Sequence, residues 1–192
     1  MSVELIPPGL HRLADYMAAL ARGWSPTTQR DVSGEELAMI HADPVAALRH
    51  IAREEGLSRR LADGTQVPFL PGRVFWIWQD GFCGTINLRY QRGTEDLPPH
   101  VSGHVGYGVV PWRRGQGIAT RALALLLPVA AKAGLARVLV TCDSDNLASR
   151  RVIEANGGVY RDTVAEPDRA GVDKHRFWVA TCAGGVAAAD GD

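Results

Sequence analysis

From Arg114 to Thr120 the chain reads Arg-Gly-Gln-Gly-Ile-Ala-Thr, with Gly115 and Gly117 flanking one residue at the entrance to the apolar run "IATRALALLL". Glycine lets the backbone come close to a ligand. The first turn of a helix leaves about four N–H groups without intrahelical acceptors, and the positive end of the helix dipole stands behind them. The chemistry this pattern supports is the binding of an anion, phosphate above all. Arg114 adds charge from within the pattern, whereas Arg113 reads as a solvated surface residue. A dinucleotide fingerprint fits poorly. Thr120 stands where a third glycine or alanine belongs, and "ARVLV" stands where an acidic residue is needed about 20 positions on. A Walker loop fits worse, since no Gly-Lys-Ser/Thr follows the glycines.

A second group lies in "TCDSDNLASRRVIEANGG". Asn146 and Ser149 fall on one face of a first helical turn, where Asn146 suits both a helix cap and a ligand contact. Cys142 just before them reads as a small buried hydrophobe rather than a nucleophile. Glu95, Asp96 and His100, in a loop, could supply a general base or bind a substrate. In "GHVGY", strand alternation sets His104 on the face opposite Val105 and Tyr107.

Elements that would carry these residues are legible nearby. "RVFWIWQ" and "FCGTINLRY" predict antiparallel strands joined at Asp80-Gly81. "HVGYGVVP" is a third strand running into the glycine loop, and a helix over 117–133 follows, kinked but not ended by Pro128. "ARVLVTC" is a strand parallel to the third, a short helix ends near Gly157, and "DKHRFWVAT" closes the series. Residues 1–66 read as helical. Ser33 and Glu36 predict a capping box, and Asp43-Pro44 opens a helix that Gly56 stops. These helices are scaffold first and a possible cleft wall second.

The chain of 192 residues, 46% hydrophobic and 22% charged, is large enough for one domain with an N-terminal elaboration. Its 21 basic and 21 acidic residues cancel, so neither nucleic acid nor an anionic membrane is indicated as a partner. Cys83, Cys142 and Cys182 are widely separated, which suits neither a disulfide framework nor a zinc site, and no metal is expected. With no apolar leader, and no run near the roughly 18 apolar residues of a membrane span, the expected location is cytoplasmic.

Taken together, these motifs resemble the GNAT superfamily of acyl-CoA-dependent N-acetyltransferases. Arg114 to Ala119 has the form of its R-x-x-G-x-A pyrophosphate loop, and "VTCDSDNLASRRVIEANGG" is similar to its second segment. The likeness covers about residues 74–180, in order. It implies an α/β (α+β) fold with a mixed, mostly antiparallel sheet flanked by helices. Residues 1–66 would be the helical part of the same domain, 67–182 the acetyl-CoA-binding core and 183–192 a flexible tail. It further implies acetyl-CoA as cosubstrate, with its pyrophosphate on Arg114, Gly115, Gln116, Gly117, Ile118, Ala119 and Thr120. The pantetheine arm would lie along the backbone of Val109 and Val110, with the Val110 N–H polarising the acetyl carbonyl and Asn146 and Ser149 near the reacting end. Strand position in the family puts Tyr107 in the cleft, and Asn146 and Tyr107 are the catalytic candidates, leaving His104 structural. Many relatives carry an acid tyrosine seven residues after this asparagine, where this chain has Ile153; Tyr107 and Tyr160 are the remaining hydroxyls. Catalysis is therefore expected to lean on proximity and oxyanion stabilisation, with direct transfer to a small-molecule or peptide amine by a monomer or homodimer. The alternative is a non-catalytic acyl-CoA-binding or regulatory module.

Overall fold

Alternating apolar residues on successive strands build one sheet with a covered face on each side. The computed structural model describes residues 2–27, 30–61, 64–165 and 173–181. Cys182 and the expected tail 183–192 lie outside the described residues. In chain order the elements are β1 (Glu4–Ile6), α1 (Leu13–Ala21), α2 (Ser33–Ala42), α3 (Pro44–Ile51), β2 (Ser58–Arg60), β3 (Gln66–Pro68), β4 (Gly72–Trp78) and β5 (Phe82–Arg89). They continue with β6 (Val105–Val109), α4 (Ile118–Lys132), β7 (Arg137–Asp143), α5 (Leu147–Glu154), β8 (Val159–Ala165) and β9 (Asp173–Ala180). The seven-stranded sheet runs β1-β4-β5-β6-β7-β9-β8, and β2 and β3 form a separate hairpin. The β6–β7 pair is parallel and every other pairing in the sheet is antiparallel.

The sheet's two faces carry different cores. On one, Ile86, Leu88, Val105 and Val109 pack against Ile118, Ala122, Leu123 and Leu126 of α4. On the other, Trp76, Phe82 and Val110 meet Leu13, Tyr16 and Leu20 of α1, Ile40 of α2 and Ala47 of α3. Tyr16 stacks on Trp76 at 5.1 Å and meets Phe82 edge-on at 5.4 Å. Such ring pairs add about 0.5–1.5 kcal/mol each beyond area burial. The N-terminal helices are thus fixed to the strands that lead into the glycine loop.

Local signals held where they act over a few residues. Asp80 (φ 53°) and Gly81 (φ 122°) make the β4–β5 turn, and Asp43 Oδ1 caps α3 by accepting from Val45 and Ala46 N–H, both at 3.0 Å. Pro128 sits inside α4, which runs on to Lys132. Four expectations need correction. The capping box does not form, because Asp31 Oδ1 takes the Ser33 N–H at 2.8 Å while the Glu36 carboxylate accepts from the Tyr16 hydroxyl. Helix α3 stops at Ile51, well before Gly56, with Arg53 in the left-handed region at φ 54°. Residues 1–66 are not wholly helical, since they supply β1, β2 and part of β3. An additional edge strand, β8, follows Gly158.

Candidate functional site

The backbone of β6 sets the geometry. Arg89 N–H donates to His104 O at 2.9 Å and Val110 N–H donates to Cys83 O at 2.9 Å, which fixes the parity of the β5–β6 ladder. Even-numbered residues 106, 108 and 110 turn their backbone groups toward β5, and odd-numbered residues 105, 107 and 109 turn theirs toward β7. The parallel pairing with β7 has one register position, Val105↔Val140. Beyond it the two strands part, so the backbone groups of Tyr107 and Val109 face a gap instead of a ladder. One of them is used: Arg114 Nε donates to Val109 O at 3.0 Å. The Val110 amide, expected at the acetyl carbonyl, is committed to Cys83, and the amide that faces the gap is Val109's.

The glycine loop opens directly beyond this gap. Gly115 and Gly117 have φ of 75° and 68°, which L side chains rarely adopt, and a Cβ on Gly115 would meet nothing within 4 Å. Gly117 is the N-cap of α4 and supplies no capping side chain, and the first turn holds no acidic residue. The first helical bond runs from Arg121 N–H to Gly117 O at 3.1 Å, so the N–H groups of Ile118, Ala119 and Thr120 start the helix without i−4 acceptors. Ile118 itself is 2% exposed, and its side chain belongs to the core while its N–H faces the loop's mouth. Arg121 Nη2 holds Gln116 O at 2.9 Å. Arg113 is not the solvated residue expected: its Nη2 donates to Gln79 O at 2.5 Å, tying the loop to the β4–β5 turn. The orphan amides, bare glycines and surrounding arginines fit a pyrophosphate.

Across the gap stands α5. Asn146 Oδ1 accepts from Ser149 N–H at 3.0 Å and so caps the helix, and Asn146 is exposed, its side-chain NH2 making no hydrogen bond among the described residues. Ser149 Oγ lies 2.7 Å from the Tyr107 hydroxyl, which joins β6 to the first turn of α5. Burial pushes the Tyr107 hydroxyl up to about 12, against the lowering effect of the Ser149 bond. Asn156 donates to Thr120 O at 3.2 Å and to Val152 O at 2.8 Å, pinning the far end of α5 to the first turn of α4. Ile153 is 0% exposed in the core and offers no acid.

Other candidates fall away from the gap. His104 is fully buried, accepts the Leu139 N–H on Nδ1 at 2.9 Å, and is pushed down to about 4 by burial and then by Arg89. Glu95 is paired with Arg137 at 2.9 Å, at the start of β7 rather than at the end where the strands part. Tyr160 is 54% exposed on the edge strand β8 and hydrogen-bonds Thr163. Burial, then Asp143, raises the Cys142 thiol and keeps it protonated.

A polar cluster that sequence reasoning missed lies on the opposite face of β5 and β6. Asn87 and Arg89, on the face turned toward the N-terminal helices, meet Arg53 there, with Glu36 and Arg59 close by. Its signal was the polar alternation Thr85, Asn87, Arg89 within an otherwise apolar strand.

Sheet, parting strands and glycine loop together are the architecture of acyltransferases that take a coenzyme A thioester. The sequence matches the family described as acetyltransferase (GNAT) domain over residues 18–159, and the chain belongs to that family, an acetyltransferase with acetyl-CoA as its cosubstrate. Solved structures share the fold. RimJ of Mycobacterium smegmatis, in complex with CoA-disulfide, is 24% identical, with a TM-score of 0.63 over 93% of this chain and 81% of that one. A Salmonella typhimurium acetyltransferase that modifies the N-terminal serine of ribosomal protein L7/L12 is 15% identical, with a TM-score of 0.60 over 94% and 95%. The microcin C7 self-immunity acetyltransferase MccE, in complex with acetyl-CoA and AMP, is 13% identical, with a TM-score of 0.57 over 93% and 92%. No curated protein matches the sequence. Among the described residues no helix is long and apolar enough to cross a membrane, and no His/Cys/Asp/Glu group could hold a metal ion.

Proposed function

We propose that the protein is an N-acetyltransferase that passes the acetyl group from acetyl-CoA directly to a primary amine, with both substrates bound together. The observation that carries this reading is the parting of β6 from β7 after Val105, with the glycine loop at one end of the gap. A strip of β6 made bare by Gly106 and Gly108 lies on the opposite face, where an acceptor can approach. Amides 118–120 hold the pyrophosphate, and the Val109 N–H stabilises negative charge on the carbonyl oxygen as the C–N bond forms. As the C–S bond breaks, the Tyr107 hydroxyl gives its proton to the departing sulfur, in place of the acid that Ile153 cannot supply. The amine enters neutral, and the surplus proton that its nitrogen carries after attack returns through solvent to the Tyr107 oxygen, so the products are the amide, free CoA thiol and a restored hydroxyl. Cys142, buried and protonated, carries no acyl group. The Salmonella neighbour's action on a protein N-terminal amine agrees with this class of acceptor.

Initial rates on a panel of amines, with acetyl-CoA varied at several acceptor concentrations, test the reading. Intersecting double-reciprocal lines are expected. Parallel lines would establish a covalent acetyl-enzyme, and acetyl-CoA binding without acetylation of any amine would establish the non-catalytic module.

A further inference from the structure

One group of charges has no part in the chemistry above. Arg53 Nη1 donates to Asn87 Oδ1 at 3.2 Å, and Arg89 Nη1 donates to the same oxygen at 3.0 Å. Asn87 is itself fixed, with Nδ2 donating to Gly106 O at 3.0 Å. Two guanidiniums thus converge on one neutral oxygen, and Arg59 adds a third like charge that both of them feel. Among the described residues none of these three arginines forms an ion pair. Arg30, Arg49, Arg92, Arg137, Arg150, Arg161 and Arg176 all do, mostly at more exposed sites. Glu36 is the carboxylate closest to balancing the group, and it receives the Tyr16 hydroxyl.

That distribution is the reverse of what stability alone favours. Exposed arginines gain little from a partner, whereas partly buried ones lose most without one. Burial first, then the charges of Arg53 and Arg59, push Arg89 down to about 9, a sign of how little opposes its charge. The cluster also borders the bare strip of β6. A Cβ on Gly106 would lie 3.2 Å from Asn87 Nδ2 and 3.3 Å from Arg89 Nη1, while one on Gly108 would meet nothing within 4 Å. Arg89 Nη1 therefore borders Gly106, the residue that precedes Tyr107 and the gap, with open space two residues on at Gly108 and Arg53 joined to the group through Asn87. A guanidinium fork matches the oxygens of a carboxylate or phosphate, and two forks set against one another match them better than any neutral group.

We propose that Arg53 and Arg89, converging on Asn87 beside Gly106, form a subsite for an oxyanion carried by the acceptor, so that the preferred amine bears a carboxylate or phosphate close to its nitrogen. This rests on the acetyltransferase reading and narrows it to amino acid-like or aminoalkyl phosphate acceptors. Arg59 reinforces the field, and the Glu36 charge offsets part of that of Arg53.

Matched acceptors test it: an amino acid against its amide, and O-phosphoethanolamine against ethanolamine, each with the full chain and acetyl-CoA. The anionic member is expected to have a kcat/KM at least tenfold higher in one of the pairs, and which pair shows this separates carboxylate from phosphate. Arg53→Gln and Arg89→Gln are expected to remove that preference through KM while leaving acetyl-CoA affinity unchanged. Equal rates for both members of both pairs, or a preference that survives in both variants, would overturn the subsite. Arg89→Lys, which keeps charge and stem, covers the case in which the glutamine variants do not fold, and is expected to retain part of the preference. If no amine is acetylated at all, the acetyltransferase reading fails separately, and the subsite is then decided by titration. Inorganic phosphate or acetate, added to CoA-saturated protein, should raise the melting temperature of the wild type more than that of Arg89→Lys. No shift, or an equal shift in both, would rule the anion site out.

Discussion

Tyr107 shows how alternation can set a side chain opposite its neighbour His104 and still leave its chemistry hidden. Strand period fixes only that it faces away from His104, and family strand position set it in the cleft; its bond to Ser149, 42 residues away, comes from tertiary packing. With its hydroxyl held up to about 12, it stays protonated across the working range, so no alkaline fall in rate is expected below that value. Rate should instead rise with pH as the acceptor amine loses its proton, and then level off. Tyr107→Phe is expected to lower kcat by about a hundredfold with acetyl-CoA affinity retained. A variant within a few-fold of wild type would return the chemistry to proximity and the Val109 amide alone. Asn146 was equally readable as a cap, and its bond to Ser149 N–H bears that out. Arg53 and Asn87 were not readable as a pair, because 34 residues separate them and neither type announces the other. Glu36 was misread because three-residue spacing from Ser33 suits a capping box, while the Tyr16 hydroxyl, buried on α1, is the stronger competitor.

Among the elements, α4 carries the most function and offers an internal control. Gly117 at its start and Gly134 past its end have similar left-handed backbones, φ 68° and 87°, and neither would press a Cβ against fixed atoms. Replacing either costs about 1–2 kcal/mol of backbone strain. Gly117→Val is expected to weaken acetyl-CoA binding by at least about tenfold, equivalent to about 1.4 kcal/mol, whereas Gly134→Val should lose similar stability and bind normally. Calorimetric titration of both variants checks this, and equal affinities would remove the loop from the site. The helix and its loop were legible because glycine spacing and apolar periodicity act within one or two turns. Strands β1, β2 and β3, of three residues each, are too short for a period-two signal to emerge. β8 escaped notice because it is an edge strand with no residue fully buried, so its pattern is blurred.

For the molecule as a whole, the two cores meet through one sheet, and buried polar groups inside it set its tolerance of acid. His104 lies between β6 and β7 with its neutral ring accepting a backbone N–H, and it titrates near 4 in the fold against about 6.5 unfolded. Because the folded value is depressed, the unfolded chain takes up the proton first. Stability is therefore full above about pH 6.5 and falls as pH drops toward 4, by about 3 kcal/mol for this group. Urea denaturation at pH 7.5, 5.5 and 4.5 should show the loss, and His104→Asn, which keeps an acceptor for Leu139 N–H, should flatten that part of the curve. The same strand carries a record of occupancy in its amide protons. In β6 the N–H groups of residues 106, 108 and 110 are locked to β5, while those of Tyr107 and Val109 open onto the gap. In deuterated water the free protein should therefore exchange alternate amides along one five-residue strand, fast at 107 and 109 and slow between them. Acetyl-CoA should slow Val109 selectively, turning a parted pair of strands into a residue-by-residue readout of a filled site.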